Sequence, residues 1–277
     1  MQKFQRKKVL AERKAPVNKR NFFATILIPH PMPEGPSIFI LKELVTPFFK
    51  GKKIIKAFGN AKIDMSQLTG KKIIDIRCWG KQLLIFTNGT TIRIHLLMFG
   101  SYSIDENKKP AQSLRLALVV PKHAVYFYNC SVRLLPADAN TLYDWQADVL
   151  SDEWDPIKAR KKLKAIPKTM LCDALLDQQI FSGVGNIIKN EVLYRVKLHP
   201  ENSINDIPPL KLSEVIKEAR NYSFDFLKWK KEFTLKKHWL AHTKKICLRC
   251  NLPIIKKYCG KSKRRTFFCN GCQVRYN

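Results

Sequence analysis

The sequence predicts an α+β chain in consecutive parts: a β-sandwich, then a helical domain, then a short hairpin built around paired cysteines. Three observations predict it. From Pro33 to about Leu150 the chain is a succession of short β-branched and apolar runs separated by turn signals. From Trp154 onward the apolar residues recur at helical spacing. The last 42 residues, Lys236 to Asn277, hold five of the eight cysteines, twelve Lys or Arg, and no Asp or Glu. The resulting division is 1–31 as a basic extension, 33–150 as the sandwich, 151–235 as the helical domain and 236–277 as the cysteine hairpin.

In the first part, Ser37 to Phe49 reads as the single helix. Lys71–Arg77, Gln82–Phe86 and Thr90–Ile94 read as strands, and Asn88-Gly89 between the last two is a hairpin signal. Leu114–Val120 and Val125–Tyr128 add two more, with Pro121-Lys122-His123 as their turn. In the second part, Pro156–Leu163, Met170–Ile180, Asn186–Val196 and Leu212–Lys230 read as helices. Residues 1–31 carry eight Lys or Arg against Glu12 alone and lack apolar periodicity before Phe22. The apolar run Phe22–Ile28 is followed by Pro29-His30-Pro31 rather than a small-residue cleavage site, which argues against a secretory leader.

Charge bounds the partners. The 277 residues hold 51 basic and 22 acidic side chains, a formal charge of +29, alongside 45% hydrophobic residues. A core is affordable, and the positive excess implies a polyanion: nucleic acid or an anionic membrane surface. No run approaches the roughly 18–20 apolar residues of a membrane span. The expected setting is cytoplasmic, of a bacterial, nucleoid-associated type.

Cys247, Cys250, Cys269 and Cys272 form C-x2-C-x18-C-x2-C, a spacing at which two tight turns deliver four thiolates to one ion. The pattern predicts one structural zinc, with Pro253–Tyr258 and Arg265–Phe268 as the arms of a hairpin. Four sulfur ligands close the coordination sphere, so no chemistry is expected at the metal. Cys259 falls outside the spacing, and Cys78, Cys130 and Cys172 read as core residues. The lysines and arginines at 256, 257, 261, 263, 264 and 265 are either a solvated basic face or a phosphate-neutralising one; the lack of any acid favours the second.

Two further segments have double readings. Leu175 to Asn186 runs helix, glycine turn, helix. Its start at Asn186 is either an ordinary N-cap or a phosphate site made of free backbone amides. His95 to Gly100 is either buried core or an exposed wedge that enters a base stack. Met32-Pro33-Glu34-Gly35-Pro36 is either a proline-rich turn or a second start, in which Pro33 becomes a terminal secondary amine beside a carboxylate. A terminal amine has a reference pKa of about 7.7–8.0 and is partly unprotonated near neutrality.

Taken together, MPEGPS at 32–37, Trp79-Gly80-Lys81, the LLDQ and G-x-G-N elements of 175–186, and the four-cysteine ribbon resemble the formamidopyrimidine-DNA glycosylase/endonuclease VIII family. The likeness runs from Met32 to Asn277, and the PEGP opening is closer to the endonuclease VIII branch. It implies a helix-two-turn-helix domain between the sandwich and the zinc ribbon. It implies Pro33 as the nucleophile that forms a Schiff base, Glu34 as the proton-transfer residue, and Lys81 holding a phosphate beside the lesion. Asn186 and Arg264 are implied phosphate contacts, and Leu97, Met98 and Phe99 the void-filling wedge. The implied activity is base-excision repair: a glycosylase and abasic-site lyase (β,δ-elimination), working as a monomer on duplex DNA with oxidised bases, pyrimidines ahead of purines, or with abasic sites. An oxidised-purine glycosylase and a non-catalytic zinc-ribbon protein that binds damaged DNA are the alternatives. With residues 1–31 attached, Pro33 nitrogen is a tertiary amide and has no nucleophilic lone pair, so Met32 is the expected working start.

Overall fold

The computed structural model describes residues 33–276. Residues 1–32, including the basic extension and Met32, lie outside the described residues.

Helix α1 (Gly35–Phe49) opens with Pro36 in its first turn, where a missing N–H costs nothing, and with Glu34 at the N-cap. Ile38, Leu41, Val45 and Phe49 recur at helical spacing and are fully buried against the sandwich. Burial of each is worth about 1.5–3 kcal/mol. The sandwich consists of two four-stranded antiparallel sheets. One runs β1 (Lys56–Phe58), β6 (Leu114–Val120), β7 (His123–Tyr128), β5 (Ser101–Ile104); the other runs β2 (Ile73–Trp79), β3 (Gln82–Thr87), β4 (Thr91–His95), β8 (Ser131–Leu135). Between them lie Ile76, Leu83, Ile85, Ile92, Ile94, Leu116, Leu118 and Phe127. The Asn88-Gly89 hairpin joins β3 to β4, with Gly89 at φ +110. Strands β1, β5 and β8 have no counterpart in the sequence reading. They are three to five residues long and acquire a partner only through distant strands.

In the helical part, α2 (Pro156–Lys164) is capped by Asp155, whose carboxylate accepts from the amides of Ile157 and Lys158. The helix expected over Met170–Ile180 is corrected by the structure. Only α3 (Leu171–Ala174) is helical, and two tight turns follow. The side chains that stop it are polar and local: Asp177 accepts from Gln179 N, while Gln178 bonds Leu176 O, Val184 O and Gly183 N. Leu175, Ile180 and Phe181 still reach the core, as the apolar spacing demanded.

Helix α4 (Asn186–Arg195) is the centre of the molecule, with residues 186–194 all buried. The polar residues at 186, 189, 190 and 191 have partners in residues 240–267, whereas Arg195 at the end of the helix pairs with Glu218 and Asp225 of the helix that follows. Asn186 donates to Arg265 O, Lys189 Nζ to Thr266 Oγ1 (2.8 Å), and Asn190 bonds His242 Nδ1 and Phe267 N. Glu191 accepts the amides of Leu240, Ala241 and His242 at 2.7–3.0 Å. Helix α5 (Pro209–Lys231) packs on α4 and α1. The ribbon itself is an antiparallel hairpin of β9 (Ile255–Cys259) and β10 (Arg264–Phe268). Glu191→Ala would strand three amides, each costing about 1–3 kcal/mol when buried and unpaired. Urea unfolding should report about 2–4 kcal/mol of destabilisation; a value near zero would show that the 240–242 segment finds other partners.

Candidate active site and nucleic-acid interface

Three backbone segments converge at the N-terminus of α4. Gly35 N donates to Gly183 O at 2.9 Å, which seats the start of α1 on the glycine turn. Glu34, 1% exposed, then places its carboxylate over the first turn of α4 and accepts from Gly185 N (3.1 Å), Ile187 N (2.7 Å) and Ile188 N (3.2 Å). Gly185 has no alternative here, because a Cβ would overlap the Glu34 carboxyl carbon. The helix dipole and the unpaired amides favour an anion at this position.

That arrangement corrects one sequence reading. The amides at the start of α4 do not stand free for a phosphate, because Glu34 already occupies them. The Asn186 side chain is 5% exposed; its Nδ2 is engaged with Arg265 O, and its Oδ1 is buried without a protein partner among the described residues.

Pro33 is buried immediately before Glu34. Burial raises the pKa of Glu34, against the pull of Lys81 and the three amides. Lys81 projects from the β2–β3 turn; burial lowers its pKa, Glu34 raises it, and Arg264 lowers it further. Lys81 thus lies within the electrostatic reach of both the Glu34 carboxylate and the Arg264 guanidinium. Arg264 starts β10, just after a tip fixed by Asp173, which accepts from Lys261 N (2.7 Å) and Ser262 N (3.0 Å).

The β4–β5 loop settles the double reading of His95 to Gly100. Leu96 is buried, but Leu97, Met98 and Phe99 are 51%, 48% and 79% exposed. His95 Nδ1 accepts from Leu97 N at 3.0 Å, and Leu97 sits at φ 56. The loop is thus an outward apolar knuckle rather than core.

The Sγ atoms of Cys247, Cys250, Cys269 and Cys272 lie within 4.8 Å of one another, with 3.7 Å between 247 and 272 and 3.4 Å between 250 and 269. Metal–sulfur bonds of about 2.3 Å in a tetrahedron require sulfurs about 3.8 Å apart, so the four thiols fit one ion. Cys259 lies in β9, buried and outside this group. Among the described residues no helix is long and apolar enough to cross a membrane.

Two residues of this region carry no motif in the sequence. Asp148 is buried and accepts from Gly80 N, and Lys189 is fully buried beneath the ribbon. Polar residues interrupting an apolar helix at 186, 189, 190 and 191 were the available sign of a second, polar packing face.

Two family models match: the formamidopyrimidine-DNA glycosylase N-terminal domain over residues 32–133 and the formamidopyrimidine-DNA glycosylase H2TH domain over 147–222. The formamidopyrimidine-DNA glycosylase of Mycoplasmopsis pulmonis is 30% identical over 244 residues, covering 74% of this chain and 82% of that protein. The chain belongs to the formamidopyrimidine-DNA glycosylase/endonuclease VIII family. Endonuclease 8-like 3 of Xenopus laevis is 32% identical over 231 residues, covering 79% of this chain and 38% of that protein. This chain spans 33–38% of the length of the four animal Endonuclease 8-like 3 proteins it matches. Among solved structures, Lactococcus lactis Fpg in complex with DNA containing N7-benzyl-Fapy-dG has the same fold, with a TM-score of 0.77 at 22% identity, over 88% of this chain and all of that one. Family relatives occur in animals as well as bacteria, so a bacterial setting is not singled out.

Cys269→Ser removes one corner of the sulfur tetrahedron. Metal analysis of the purified chain should fall from about one ion to near zero, because structural sites need all four ligands; retention of a full equivalent would refute the four-thiolate site.

Proposed function

We propose that this chain is a base-excision repair DNA glycosylase with abasic-site lyase activity, acting on oxidised bases in duplex DNA, with pyrimidines preferred. The observation that carries the reading is the buried Glu34 carboxylate, fixed by three amides directly after Pro33 and in electrostatic contact with Lys81. A proton donor needs a raised pKa and a rigid position, and Glu34 has both.

In the reactive form Pro33 is the chain terminus. Its secondary amine attacks C1′ of the damaged nucleotide, and the base departs with the electrons of the glycosidic bond. Glu34 protonates the ring oxygen as the sugar opens to the iminium. The iminium acidifies the C2′ proton; its removal expels the 3′ phosphate, and a second elimination expels the 5′ phosphate. Lys81 holds the phosphate beside the lesion, and Arg264 grips those flanking the flipped nucleotide. Asn186 adds a contact through the second hydrogen of its Nδ2. Leu97, Met98 and Phe99 fill the gap left by the extruded base, which suits a knuckle that spends apolar surface on solvent when DNA is absent. One zinc ion held by Cys247, Cys250, Cys269 and Cys272 would stiffen the ribbon behind Arg264, and the enzyme acts as a monomer.

Borohydride trapping tests the amine. On duplex DNA carrying an oxidised pyrimidine, protein started at Met32 should give a covalent adduct, and the full 277-residue form with its upstream residues intact should give none. Binding without an adduct from either form would leave a non-catalytic damage-binding protein. The same assay on an oxidised purine reads the lesion preference.

Proton donation by Glu34 also sets a pH limb. Its raised pKa keeps the acid form present to higher pH than an ordinary carboxylate, so single-turnover base release should decline as pH rises through that ionisation. Glu34→Gln should lower the rate by about 10²–10⁴-fold and flatten this limb. An unchanged limb would assign it to another group.

A further inference from the structure

We propose that Asp148 is a positioning residue that sets Lys81 against Glu34 by holding the backbone amide of Gly80. This inference rests on the phosphate-binding role given to Lys81 above. Asp148 is 3% exposed and lies in the segment that leads from the sandwich into the helical domain. Its Oδ2 accepts from Gly80 N at 2.7 Å and its Oδ1 from Leu150 N at 2.9 Å. The segment is itself strapped to the glycine turn, through Ser182 N to Ala147 O (2.8 Å) and Val149 N to Ser182 O (3.1 Å).

The β2–β3 ladder closes the turn that carries Lys81 through the Trp79–Gln82 pair, and few side chains anchor it besides. Trp79 Nε1 donates to Asp144 O at 2.9 Å on one side. Gly80, at φ +53, lies so close to Ser182 and Gly183 that a Cβ would overlap the Ser182 hydroxyl. The Asp148 carboxylate is the side chain that ties the turn to the same strap that seats α1 and Glu34. Lys81 follows Gly80 directly, so fixing that amide fixes where the lysine side chain leaves the turn. Burial pushes the Asp148 pKa up to about 6, opposed by its two amides, Arg220 of α5 and Lys42 of α1, with the Cys78 thiol of β2 also facing it. At neutral pH it is therefore a charged acceptor, which makes the stronger hydrogen bond.

The test uses the full chain and a duplex containing a tetrahydrofuran abasic-site analogue, with affinity measured across salt concentration. Lys81→Ala should reduce the slope of log affinity against log salt by about 0.9, one phosphate contact. Asp148→Asn should reduce it by a similar amount and weaken binding several-fold, and the double variant should be no weaker than Lys81→Ala. Asp148→Ser supplies an independent variant. A serine hydroxyl still accepts from the amide two residues on, but is too short for Gly80, so it should behave as Asp148→Asn does. If either Asp148 variant that folds keeps the full salt slope, or if its effect adds to that of Lys81→Ala, Asp148 is only a structural residue and the inference falls. If Lys81→Ala itself leaves the slope unchanged, the reading of Lys81 fails and takes this one with it.

Discussion

The capture of the Glu34 carboxylate by the first turn of α4 is the interaction on which the rest of the structure depends. Glu34 belongs to the sandwich by sequence, and α4 is the centre of the helical part. The three hydrogen bonds from α4 amides to this carboxylate lock the two parts at the site itself, beside the Gly35–Gly183 and Ser182 strap contacts and the Lys231–Glu43 ion pair. A buried carboxylate is expensive, and it persists only when donors replace its water. Here the donors are amides that every helix leaves unpaired at its start, so one contact satisfies both sides. Opposition between burial and donors leaves Glu34 with a raised pKa while it stays immobile. A terminal amine beside it would have a proton donor at a fixed distance without any loop having to close.

The same device recurs at the other joints. Asp148 holds the Gly80 amide, Asp173 holds the hairpin tip through Lys261 and Ser262, and Glu191 holds residues 240–242 where the chain enters the ribbon. A chain with 22 acids against 51 bases has few carboxylates to place. These four at the joints grip backbone amides rather than surface lysines. Exposed ion pairs are worth little, about 0–1 kcal/mol, whereas a carboxylate on two or three backbone amides fixes geometry. Other acids do pair with surface cations, as Asp144 does with Lys158 and Lys162, but the excess of 51 bases over 22 acids preserves the field that draws in a polyanion.

How much of this was legible follows from range. The paired CxxC turns, the Asn88-Gly89 hairpin and the central helix from Asn186 are written in residues close together in sequence. Strands β1, β5 and β8 are not, because a three- to five-residue strand is stabilised by partners far away in the chain. The run Met170–Ile180 misleads for the opposite reason: its apolar spacing is helical, but Asp177 and Gln178 satisfy local backbone groups and turn the chain twice. At Asn186 the local reading of an anion site was chemically sound. Its occupant, Glu34, lies 152 residues earlier, and only the assembled fold supplies it. Pro33, Glu34, Lys81 and Arg264 were named from motifs, yet Asp148, which ties the Lys81 turn to the glycine turn, carries none.

Crowding of like charge gives the site its last property. Lys81 and Lys189 are each lowered by burial and by the neighbouring Arg264, and Glu34 pulls the other way. Buried Lys189, pushed down to about 8, spends its charge under the ribbon on Thr266 rather than on solvent. Lys81, Lys189 and Lys230 all share the field of the Glu34 carboxylate, so positive charge is concentrated around one buried anion. A phosphate placed beside these lysines would raise their pKa values, as Glu34 already does. The rigid ribbon matters because a mobile Arg264 would drift away from Lys81 and leave the field too weak to select a phosphate at one position.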